Sequence, residues 1–204
     1  MYYTLLQELA ITSTKRENSY YYANLPFFCL LFAKFLTDNN NNESDKKTVY
    51  ALQEVFMRNL KNNNCKIILN YDMLMTMLKA GERQPSKLTF ENPEFKSMFC
   101  NYLQQFTVFL EKLPNLEIAL TEKLPTANTA EVSMYIQENT IAMINAFIPF
   151  KNDPITLITH EPSIIQAYYW HYKNFWSHLP SRDKDKSRNI SVLKNMVKKF
   201  KSAL

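Results

Sequence analysis

One glycine, Gly81, stands among 204 residues, against nine prolines. Hairpins, barrels and phosphate-cradling loops draw on glycine for positive φ, whereas helix interiors exclude it. The count therefore predicts an all-α chain. It also argues against glycine-rich nucleotide-binding fingerprints and the nucleophile elbow, which need glycines at fixed spacing.

Helix start and stop signals recur along the chain. Helices are predicted from Tyr2 to Ile11, Pro26 to Thr37, Ser44 or Asp45 to Leu60, and Lys66 to Ala80, where Gly81 is the stop. Another runs from Pro93 to Leu113, and two Glu-Lys-Leu-Pro stretches then end short helical runs at Pro114 and Pro125. Asn128, with Glu131 three residues on, opens a helix to Ile148, and helices from Pro162 to Leu179 and Asn189 to Ala203 complete the chain. The expected fold is an all-α, irregular bundle of about seven to nine helices whose last helix is basic and amphipathic.

Charge divides the chain unevenly. Residues 181–204 hold eight basic and two acidic groups, while residues 1–180 hold 16 and 17. This predicts a helical domain over 1–180 and a basic amphipathic C-terminal helix over 181–204, packed on the domain or used as a tether. Ile190, Leu193, Met196, Val197, Phe200 and Leu204 fall on one side of that helix, and Lys194, Lys198, Lys199 and Lys201 on the other. Such a helix suits a core face, an anionic membrane surface reached through residues 189–204, a partner protein, or nucleic-acid phosphates. Nucleic acid is the weakest of these, since arginine, the usual reader of base edges, numbers five against 19 lysines.

Two further surfaces stand out. Over residues 67–78, Ile67, Ile68, Tyr71, Leu74, Met75 and Leu78 form one stripe, and Leu69, Met73 and Met77 form a second. A helix apolar on two faces is buried or bound, which leaves a central helix or a methionine-rich partner groove. In the 162–179 helix most apolar residues share one arc, but Trp170 projects opposite it among Gln166, Lys173 and Ser177, an unusual place for a tryptophan unless it anchors a contact. Asn139 falls in the middle of the core arc of the 128–148 helix, which predicts a buried amide with a partner.

Catalytic constellations are lacking. His171 and His178 lie seven residues apart, roughly 10 Å along a helix, too far to share one zinc. His160-Glu161 runs into Pro162, so the paired helical histidines of metalloproteases are missing. His160, Glu161 and His171 are the best candidates for proton transfer. Cys29, Cys65 and Cys100, 36 and 35 residues apart, match neither a disulfide framework nor a zinc site, and point to a reducing cytoplasm. The longest apolar run, Leu25 to Leu36, is shorter than the roughly 20 residues that span a bilayer.

The expectation is a cytoplasmic, non-enzymatic interaction protein with no cofactor and no metal. It binds another macromolecule, a protein first, through Trp170, Lys173, Met73, Met77, Lys194, Lys198, Lys199 and Lys201. The abundance of Lys, Asn, Ile, Phe and Tyr suggests a low-GC genome, compatible with an intracellular bacterium or a virus and a host-directed role. The alternative is a small-molecule-binding or enzymatic helical domain with an aromatic pocket; nucleic-acid binding through the basic tail is the third reading.

Overall fold

Ile67, Ile68 and Leu69 are consecutive and all fully buried, which a strand achieves when both faces of its sheet are covered. The computed structural model describes residues 17–23, 61–72, 74–75, 93–122, 131–147 and 155–201, with isolated helical positions at 47, 50, 51, 54 and 58. Its elements, in chain order, are β1 (Asn18–Ala23), β2 (Asn64–Asn70), α1 (Pro93–Lys112), β3 (Glu117–Thr121), β4 (Glu131–Gln137), β5 (Ile141–Phe147), β6 (Ile155–Thr159), α2 (Pro162–His178), a 3-10 turn (Ser181–Lys184) and α3 (Lys186–Lys201). The strands form one sheet in the order β3-β2-β1-β4-β5-β6. The first three are parallel, and β4, β5 and β6 extend the sheet antiparallel from β1.

Two apolar layers sandwich this sheet. On one side, Tyr21, Ile67, Leu69, Ile118, Tyr135 and Met143 meet Leu103, Phe106 and Leu110 of α1 and Ile190, Leu193 and Val197 of α3. On the other, Tyr20, Tyr22, Ile68, Ala119, Met134 and Ile136 meet Ile165, Tyr169, Tyr172 and Trp176 of α2. Neighbouring residues along each strand alternate between the two layers, as the strand period requires. The β3 edge is joined to the 3-10 turn and α3 by Asn189, whose buried Nδ2 donates to Ile118 O at 2.9 Å and Asp183 O at 2.7 Å.

The all-α bundle of seven to nine helices is therefore wrong: the chain is α/β, with a six-stranded mixed sheet and three helices of full length among the described residues. Three physical causes account for the error. Parallel strands are joined by long crossovers rather than tight hairpins, so β1, β2 and β3 have little need of glycine. The one hairpin turn described, residues 138–140 between β4 and β5, contains no glycine and has Asn139, a residue that turns favour, at its centre. Strands buried on both faces are continuous apolar runs, which a helical projection also accommodates. The two stripes expected on a helix over 66–80 are, over β2, the two faces of a strand, with Ile68 on the α2 side and Ile67 and Leu69 on the other. Likewise the helix expected from Asn128 to Ile148 is, over its described residues, the β4–β5 hairpin. By contrast α1, α2 and α3 lie close to the spans that their prolines and periodicity predict.

Burial of tyrosines links this sandwich to pH. Tyr22 is 1% exposed, and burial pushes its hydroxyl up to about 12. Burial raises Tyr135 and Tyr172 further still. Because the folded values exceed the unfolded value near 10, the unfolded chain loses protons first, so stability is full below about pH 10 and falls above it. Each such tyrosine removes about 1.4 kcal/mol per pH unit there. Tyrosinate absorbance recorded with circular dichroism should show ionisation and unfolding together; ionisation preceding unfolding, with Tyr22, Tyr135 and Tyr172 at ordinary values, contradicts this.

Candidate functional site

α2 crosses the sheet with Ile165, Tyr169, Tyr172 and Trp176 buried beneath it. The opposite side of the same helix carries Trp170, which is 59% exposed. Lys173 holds its ammonium 4.4 Å from the Trp170 ring centroid and 5.8 Å from that of Tyr169. A cation over an indole face is favourable and fixes the ring's orientation. Trp170 is thus a large apolar side chain, set in place and presented outward.

Beside this face opens a cleft of about 510 Å³ at the amino ends of β1 and β2. The described residues that line it are Glu17, Asn18, Lys61, Asn62, Asn64, Asn115, Glu138 and Asn139, all of them polar. Asn18 Nδ2 donates to Glu138 Oε2 at 2.9 Å, and Asn18 Oδ1 accepts a long bond from Asn64 Nδ2 at 3.5 Å. Glu17 Oε2 accepts from the Asn139 backbone N–H at 3.1 Å and the Thr140 hydroxyl at 2.9 Å, tying the hairpin turn to the start of β1. Asn115 Nδ2 bridges Lys61 O and Asn63 O at 3.1 and 2.6 Å.

Gln166 joins the cleft to α2. Its Nε2 donates to Glu138 O at 2.7 Å and to Asn139 Oδ1 at 3.1 Å, and Trp170 follows four residues later, one turn along the same side. Burial, with the Glu138 carboxylate next in effect, pushes the Tyr169 hydroxyl up to about 12. Tyr20 packs edge-on against Tyr169 and Trp176, with ring centroids 5.4 and 6.5 Å away. Lys66 lies 5.4 Å from the Trp176 ring and 3.5 Å from Glu117. Aromatic packing therefore braces α2 under the exposed tryptophan.

The other expected site residues lie elsewhere. Met73 and Met77 fall outside the described residues. Lys194 pairs with Glu111 at 2.6 Å and Lys201 Nζ donates to Gln104 Oε1 at 2.9 Å, linking α3 to α1. Lys198 and Lys199 are exposed on α3, across the sheet from Trp170 and Lys173. Asn139, expected in a core, is exposed in the turn and lines the cleft.

His160 Nδ1 lies 3.0 Å from Thr140 O, Glu161 Oε1 accepts from Ser163, and His171 packs edge-on against Tyr172. These contacts form no shared proton-transfer arrangement. Among the described residues no three His, Cys, Asp or Glu side chains cluster to hold a metal ion, and no helix is long and apolar enough to cross a membrane. Helical projection finds Trp170, but the cleft comes from residues as far apart as Glu17 and Asn139, which no local spacing connects. Comparison with protein-family models, curated proteins and solved structures finds no match to this chain.

Proposed function

We propose that this protein is a non-enzymatic recognition module that binds another macromolecule, a protein, across the outward face of α2 with Trp170 as anchor. The observation that carries this reading is Trp170 itself, 59% exposed while Trp176 on the same helix is 6% exposed. Interface energy concentrates in tryptophan, tyrosine and arginine side chains surrounded by polar contacts, and Trp170 sits next to Lys173 and one helical turn from Gln166, which bonds to Glu138 and Asn139 of the cleft. A cytoplasmic setting belongs to the proposal, supported by Cys65 and Cys100, which are buried and form no disulfide.

A photo-reactive amino acid at Ala167, on the outward face beside Trp170, tests the proposal in lysate from the native source. Discrete adducts are expected, lost in Trp170→Ala at unchanged melting temperature, and absent with the same probe at Lys198 on α3. Equal labelling from both positions, or adducts indifferent to Trp170→Ala, contradicts it.

A further inference from the structure

Building on the recognition proposed above, we infer that the cleft at the amino ends of β1 and β2 is a saccharide site, which takes a neutral sugar carried by the partner. At about 510 Å³ the cleft has the size of a ligand pocket, yet the described residues that line it are all polar ones, unlike the mostly apolar walls that bury hydrocarbon ligands. A guest must therefore gain by hydrogen bonding. Among the described residues the lining carries two carboxylates and one ammonium, which disfavours anions. What fits is a neutral group that both donates and accepts, and a hydroxyl does both.

The side chains are also set in advance. Asn18 is held between Glu138 and Asn64, and Glu17 by the hairpin turn, so little side-chain freedom is lost on binding. Among the described residues Glu17 Oε1, Asn64 Oδ1 and Asn139 Nδ2 take no part in these bonds, leaving two acceptors and a donor among the lining residues. Trp170, one turn beyond Gln166 at the rim, offers an exposed ring against which the C–H face of a sugar packs.

The test is retention of labelled protein on an array of neutral oligosaccharides ending in mannose, glucose, galactose or N-acetylglucosamine, with sialylated and sulfated counterparts. Binding to at least one neutral class is expected. It should weaken about tenfold or more in the double variant Asn62→Ala/Asn139→Ala, both exposed positions, and also in Trp170→Ala. Saturation-transfer NMR of the wild-type protein with the same free sugars provides a readout that needs no variant. Retention of no neutral sugar, of acidic sugars only, or equally by the double variant overturns the saccharide site. If adducts at Ala167 still depend on Trp170 while no sugar is retained, the site fails and the recognition reading stands; if both signals are missing, both fail.

Discussion

Removing residues 186–204 is expected to abolish cooperative thermal unfolding. α3 buries Ile190, Leu193, Met196 and Val197 against α1 and the sheet. Full burial of such side chains contributes roughly 1.5–3 kcal/mol each, so the four together supply about 6–12 kcal/mol. A whole domain is stable by about 5–15 kcal/mol. The truncation also leaves Leu103, Phe106 and Leu110 uncovered, and takes the Asn189 amide away from Ile118 O. A buried carbonyl left without its donor costs about a further 1–3 kcal/mol. The lysines matter less, because Lys194–Glu111 is an exposed pair and such pairs contribute about 1 kcal/mol or less. Far-UV circular dichroism of the truncated chain should show no sigmoidal transition on heating. A melting curve like that of the full chain is the result expected of a detachable tether, and it contradicts the packing described here.

What the sequence revealed, and what it hid, follows from which physical signals are local. α1 and α2 begin on a proline, Asp185 accepts from the Arg188 backbone N–H at the start of α3, and all three carry an apolar arc at helical period, signals contained within one turn or a few. Trp170 was legible for the same reason, since its position against the arc of α2 is a property of that helix alone. The strands carry no such local mark. β1 is Asn-Ser-Tyr-Tyr-Tyr-Ala, with Tyr20 and Tyr22 in one layer and Tyr21 in the other, so it shows no polar alternation. β3 follows the first Glu-Lys-Leu-Pro closely and reads as one more short helical run. The cleft was the least legible feature. Its side chains come from the start of β1, the segment before β2, the turn after α1 and the β4–β5 hairpin, and only the sheet order brings these together.

The β4 strand offers the sharpest discrimination between the two architectures. Along a helix from Asn128, Tyr135 and Ile136 share the core arc while Met134 lies outside it, so a helix tolerates an acidic side chain at 134. In the sandwich no such position exists. Met134 faces α2, where the Tyr172 hydroxyl reaches its sulfur at 2.7 Å; Tyr135 faces α1 and α3; and Ile136 faces α2 again. All three are at most 4% exposed. Met134→Asp, Tyr135→Asp and Ile136→Asp should each cost more than about 4 kcal/mol, because each puts a carboxylate into an apolar layer without a partner. Asn139→Asp is the control: its side chain is exposed in the turn, and the new carboxylate still accepts from Gln166, so stability should change by less than about 0.5 kcal/mol. Urea unfolding measures all four. Equal losses at 134, 135 and 136 require cover on both faces of β4, whereas a tolerated Met134→Asp means that α2 does not pack where Tyr172 places it.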